Sequence, residues 1–82
     1  GQSDTAMSLF PNPAKQTVTI QFSGNHDNVN KYSFVNMQGT VVLSDEKPNS
    51  NTIDISKLPA SVYIMHVIGQ SGKIYSAKLV KE

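Results

Sequence analysis

The sequence predicts an all-β fold in which two thin sheets pack face to face. Apolar and polar residues alternate along most of the chain, whereas helical spacing is scarce. Turn-forming residues recur roughly every 8–12 positions, as in small sandwiches. The one helix candidate, Asp54–Leu58, is stopped within a turn by Pro59. A fold with helical crossovers is therefore excluded.

About seven short antiparallel strands are predicted. In the second of them Val18, Ile20 and Phe22 alternate with polar residues, which is typical of a half-buried strand. Met37–Gly39 and Gly69–Gly72 are the expected turns of two hairpins. The predicted strands are Met7–Phe10, Val18–Phe22, Tyr32–Val35, Val41–Leu43, Ile53–Ile55, Val62–Ile68 and Lys73–Val80. The fold class is thus an immunoglobulin-like or fibronectin-like β-sandwich.

Composition limits the function. The 82 residues suffice for one domain, and with no cysteine there is neither a disulfide nor a thiolate metal site. All seven basic residues are lysines spread along the chain, which argues against sequence-specific binding of nucleic acid. No apolar run approaches the roughly 20 residues of a membrane helix, so membrane insertion is not expected.

No residue pattern supports catalysis. His26 lies in a polar turn, and His66 lies in a strand, where an exposed or hydrogen-bonded histidine is the expected reading. The serines form no nucleophile elbow, and the acidic residues form no calcium loop. We therefore predict no catalytic residue, no metal and no cofactor. The six phenylalanine and tyrosine side chains are expected in the core or at its edges. A solvent-exposed row of tyrosines would instead favour a glycan- or protein-binding surface.

Four segments carry a family resemblance. In order they are Leu9–Ala14, Phe34–Val42, Ile53–Tyr63 and Lys78–Lys81. Together they resemble the C-terminal sorting domain of the bacterial type IX secretion system, type A. The family's opening hydrophobic pair with Pro-Asn-Pro, its strand–turn–glycine hairpin, its Ile-Asp segment and its Lys-hydrophobic-hydrophobic-Lys ending all have counterparts. Asn36 stands where the family commonly has Asp, and Ser61 where it has Gly.

The same residues have a physical role. Asn12 is expected to cap its own turn, and Asp54 to accept hydrogen bonds from nearby backbone amides. Tyr63 is expected to pack its ring and to reach a neighbouring loop with its hydroxyl. Asp54 and Tyr63, together with Leu9 and Leu58, form the fold-defining motif.

The resemblance implies an address label and not an enzyme. The expected domain is 9–82, preceded by a linker or cloning remnant at 1–8 in which sortase cleavage would fall. The expected partners are the type IX translocon, the sortase and an N-terminal cargo domain, with transit through the periplasm to the cell surface or the extracellular space. The recognition residues are expected to be Pro11, Asn12, Pro13, Gly39, Lys78, Leu79, Val80 and Lys81.

Two alternatives remain open at this stage. The first is an accessory glycan- or protein-binding module of a secreted enzyme or adhesin, because a fold alone does not define a function. The second concerns the mode of contact: an open sheet edge could accept a strand from a partner, or could pair two copies in a dimer.

Overall fold

The computed structural model describes residues 6–23, 27–46 and 50–82. Seven strands are present in these ranges, and none of the described residues is helical. The strands are β1 (Ala6–Phe10), β2 (Thr17–Ser23), β3 (Val29–Val35), β4 (Val41–Glu46), β5 (Thr52–Asp54), β6 (Ser61–Gly69) and β7 (Ile74–Lys81). Each matches one of the predicted strands, so the all-β prediction is confirmed. The described residues contain no helix able to span a membrane.

The strands form two antiparallel sheets. One has the order β1-β2-β5 and the other the order β4-β3-β6-β7. In immunoglobulin terms these are an A-B-E sheet and a C′-C-F-G sheet. The topology therefore agrees with the predicted immunoglobulin-like or fibronectin-like sandwich.

Period-two alternation determines which side chains form the core. In β2, Val18 and Ile20 are buried while Thr17 and Gln21 are exposed. In β6 the odd-numbered residues from Tyr63 onward are buried, and in β7 so are Tyr75, Leu79 and Lys81. Such one-sided burial holds the register, because a slip by one residue would turn every apolar side chain outward. The largest fully buried side chains are Phe34, Ile20, Ile55, Met65, Leu79, Val18 and Val67.

Two glycines provide turns that other residues would strain. Gly39 lies between β3 and β4 with φ near +88°, and Gly72 lies between β6 and β7 with φ near +92°. At the first turn the Asn36 side-chain oxygen also accepts hydrogen bonds from the amides of Gln38 and Thr40. Both predicted hairpin turns are confirmed.

Some predictions fall on other parts of the chain. The His26 turn, and most of the predicted linker at 1–8, lie outside the described residues. Residues 6–8 are described, and they belong to β1, where they pair with residues 21–23 of β2.

Candidate functional site

The chain changes sheets directly after β1. Phe10 is the last β1 residue paired with β2, and the segment Pro11–Ala14, here called the corner, leads to the other sheet. At its end Ala14 forms a parallel bridge with Lys81 of β7. Proline supplies no amide hydrogen, so Pro11 and Pro13 cannot continue the ladder of β1. The corner is therefore the point where the chain leaves the first sheet and reaches the edge of the second.

The corner is hydrogen-bonded to the end of β7 at four points. The Asn12 side-chain amide donates to the carbonyl of Lys78 at 2.9 Å, and its oxygen accepts from the amide of Val80 at 3.0 Å. The Ala14 amide donates to the Val80 carbonyl at 2.8 Å, and the Glu82 amide donates to the Ala14 carbonyl at 2.7 Å. The Asn12 side chain thus bonds β7 as a neighbouring strand would.

These bonds bring together the two ends of the predicted recognition set. We define the corner–tail surface as Pro11–Ala14 with Lys78–Glu82. It joins residues that lie more than sixty positions apart in the sequence. Gly39 is not part of it, because its turn lies beside β4, at the opposite edge of the four-stranded sheet.

Side chains within the tail point alternately outward and inward. Lys78 is exposed and Val80 is half-buried, whereas Leu79 is fully buried in the core. Lys81 is also buried, and its ammonium group donates to the carbonyl of Glu82 at 3.1 Å. Of these side chains, that of Lys78 is open to solvent, while Leu79 and Lys81 hold the strand in place.

A shallow groove of about 380 Å³ adjoins the corner. The two proline rings form part of its wall, and Lys15, Gln16 and Thr17 form the remainder. Phe10, at the end of β1, has 46% of its surface exposed. The prediction that every aromatic residue fills the core or its edges is therefore confirmed only in part. The groove therefore adds apolar area to the corner–tail surface, next to the exposed Lys15.

The fold-defining motif has the expected geometry. Leu9 and Leu58 are buried, and the Asp54 carboxylate accepts a hydrogen bond from the Ser56 amide at 2.9 Å. This bond, with help from the Ser56 hydroxyl and from the charge of Lys57, lowers the pKa of Asp54. The buried Tyr63 donates its hydroxyl to the carbonyl of Pro59 at 2.6 Å. Tyrosines at this position, near the start of the sixth strand, stabilise immunoglobulin-like sandwiches in the same way.

The two departures from the family pattern fit the structure. Asn36 makes the turn hydrogen bonds described above through its amide oxygen, which an Asp oxygen would also make. Ser61 is the first residue of β6 and pairs with Lys81. A paired strand position such as this one accepts serine as well as glycine.

A cluster around Asp27 has no counterpart in the sequence patterns. One carboxylate oxygen accepts from the Ser71 hydroxyl at 2.6 Å and from the Tyr75 hydroxyl at 2.7 Å, and the other accepts from the amides of Asn28 and Ser71. A Cβ atom on Gly69 would overlap the carboxylate, so a larger residue here would displace the Asp27 side chain. The cluster ties the β2–β3 connection to the β6–β7 turn, at the end of the sandwich away from the corner.

The tyrosine row that would indicate a glycan-binding module is not present. Tyr32, Tyr63 and Tyr75 are all buried. His66 is exposed on the outer face of β6, as expected, and a cavity of about 230 Å³ beside it is lined mainly by β3 and β4 residues. In the described ranges, no three His, Asp or Glu side chains approach one another closely enough to hold a metal ion.

The fold and the site define a small immunoglobulin-like sandwich whose terminal strand is held by a proline-flanked corner. The chain belongs to the family described as secretion system C-terminal sorting domain, whose sequence model matches residues 8–82. Membership indicates a type IX secretion signal, and hence export to the cell surface or the extracellular space. Among curated proteins, none matches the chain.

Proposed function

We propose that this domain directs an N-terminal cargo through the type IX secretion system, and that the translocon recognises the corner–tail surface. One observation supports the proposal above all. The four hydrogen bonds of Asn12 and Ala14 bring the family's first and last sequence motifs together on one surface. Neither the Asn12 side chain nor that of Lys78 is buried, so both are accessible to a partner.

The remaining steps follow from this role. The cargo reaches the periplasm, the translocon binds the domain, and a sortase then removes it. We place the cleavage before Ala6, because residues 6–10 are paired with β2 and proteases act on unpaired, extended segments. The domain itself performs no chemical step.

Asn12→Ala tests the proposal. Residues 1–82 are fused to a periplasmic reporter in a host that has a type IX system, and the reporter is measured at the cell surface. The substitution removes two exposed hydrogen bonds, each contributing about 0.5–1.5 kcal/mol, so the domain should stay folded. We expect surface reporter to fall, because the corner no longer holds the backbone of Lys78 and Val80.

Asn36→Ala is the matched control. It also removes two side-chain hydrogen bonds, those accepted from the amides of Gln38 and Thr40, but at the opposite edge of the four-stranded sheet. The melting temperature of each variant is measured on the 82-residue chain, so that a loss of export is separated from a loss of stability. Normal export of Asn12→Ala, or equal loss of export by both variants, would contradict the proposal.

A further inference from the structure

The backbone of β7 has one edge inside the sheet and one outside. The Gly69 amide donates to the Lys73 carbonyl, which fixes odd-numbered β7 residues as those bonded to β6. Backbone groups of successive residues point to opposite sides in an antiparallel pair. The amides and carbonyls of the even-numbered residues, from Ile74 to Val80, therefore point away from the sheet.

The chain's own hydrogen bonds satisfy only the last part of this outer edge, although β1 lies close to β7. Asn12 and Ala14 satisfy both backbone groups of Val80 and the carbonyl of Lys78. No described residue pairs with the outward backbone groups of Ile74 and Ser76 or with the Lys78 amide. We call the outward backbone groups of Ile74 and Ser76, with the Lys78 amide, the free edge. It continues directly from the corner–tail surface.

The side chains of the free edge have a definite chemistry. Ile74 has 75% of its surface exposed, the largest exposed fraction among the large hydrophobic side chains in the described ranges. Lys73 precedes it and Lys78 ends the segment, and both lysines are exposed. The other edge of the same sheet, β4, carries Asp45 instead. The edge beside the corner thus carries two exposed lysines, whereas the opposite edge carries an exposed aspartate.

We propose that the free edge accepts an extended segment of the translocation machinery as an additional strand. This inference rests on the proposed function and specifies how the corner–tail surface is bound. The added strand bonds the outward amides and carbonyls of Ile74 and Ser76 and the amide of Lys78. It carries an apolar side chain where it passes Ile74 and a carboxylate where it passes Lys78, because these groups complement the edge. The added strand ends at Lys78, because the Asn12 side chain already bonds the Lys78 carbonyl and the Val80 amide.

Ser76→Pro tests the backbone contact. It removes one outward amide and places a ring at the free edge, while the bonds to β6 remain, because Ser76 is not bonded to that strand. Ser44→Pro is the matched control. Ser44 is likewise an exposed serine on an edge strand, and its amide also points outward, from β4. We expect Ser76→Pro to lower surface reporter about tenfold, equivalent to about 1.4 kcal/mol of binding, and Ser44→Pro to leave it unchanged.

A second pair of variants leaves the backbone intact. Ile74→Asp should repel an acidic strand and lower export, whereas Val41→Asp, at an exposed apolar position on β4, should not. If either proline variant fails to fold, this pair decides the result. Normal export of Ile74→Asp, or equal effects on both edges, would overturn the inference.

The outcomes separate this inference from the proposed function. If Asn12→Ala lowers export while Ser76→Pro and Ile74→Asp do not, the corner–tail surface is recognised without strand addition, and only the inference is wrong. If Ser76→Pro converts a dimer of the 82-residue chain to a monomer while export is normal, the free edge joins two copies, and the inference is again wrong.

Discussion

At the scale of single residues, Asp27 shows how one carboxylate can connect two distant turns. Hydrogen bonds from the Ser71 and Tyr75 hydroxyls hold the pKa of Asp27 well below its ordinary value of 3.8. The hydrogen bonds from the Asn28 and Ser71 amides lower this pKa further, by smaller amounts. The folded state therefore favours the ionised form. The contribution of the Asp27 carboxylate to the free energy of unfolding is present above its unfolded-state pKa. This contribution is lost as the pH falls toward the lower folded-state pKa.

Asp27→Asn should destabilise the domain in a pH-dependent way. We expect a loss of about 1–2 kcal/mol near neutral pH, in the lower part of the range for charged hydrogen bonds because the cluster is only half-buried. The difference from the unsubstituted chain should shrink steadily below about pH 4. Urea unfolding of the 82-residue chain between neutral and acid pH measures it. Ser71→Ala should produce a smaller loss, and a difference independent of pH would contradict the role given to the carboxylate.

Residue contacts across long separations could not be predicted from the sequence. The partners of Asp27, Ser71 and Tyr75, lie 44 and 48 positions away and leave no local pattern. Asn12 was expected to cap its own turn, but its partners are 66 and 68 positions away. Contacts between residues close in sequence are easier to predict. Asp54 accepts a hydrogen bond from a nearby amide, that of Ser56, as expected, and the neighbouring loop that the Tyr63 hydroxyl reaches is the one before β6.

At the scale of the strands, prediction succeeded because burial on one face leaves a period of two in the sequence. Each of the seven strands was predicted, and the structure mainly extends their ends. The pattern is weaker where a residue near an edge escapes burial, as Phe10 does. A period of two also gives no order of strands, so it does not show that the corner and the end of β7 lie side by side.

Tyr63→Phe tests how the connection before β6 is fixed. The ring stays in the core, but the hydrogen bond to Pro59 is lost, so we expect the free energy of unfolding to fall by about 0.5–1.5 kcal/mol. Tyr32→Phe is the control, because the Tyr32 hydroxyl has no hydrogen bond to a described residue; its loss should stay below about 0.5 kcal/mol. Denaturant unfolding measures both, and equal losses would contradict a specific role for the Tyr63 hydroxyl.

At the scale of the whole molecule, the terminal strand both closes the core and forms part of the proposed recognition surface. Leu79 is fully buried, and the last residues of β7 hold the corner in place. A change in this strand therefore affects folding and recognition together, unless it is confined to an outward-facing side chain. Lys78 meets that condition, since only its backbone is used by the corner.

Deleting Leu79–Glu82 should abolish export largely by unfolding the domain. Loss of a buried leucine alone costs about 2–5 kcal/mol, and the deletion also removes the bonds to Ala14. A domain of 82 residues has only about 4–12 kcal/mol in total. Lys78→Ala should instead change the free energy of unfolding by less than about 0.5 kcal/mol, while still lowering surface reporter. Denaturant unfolding and the surface reporter are measured on both variants. A deletion variant as stable as the intact chain would contradict the structural role of the tail, and normal export of Lys78→Ala would show that its side chain is not recognised.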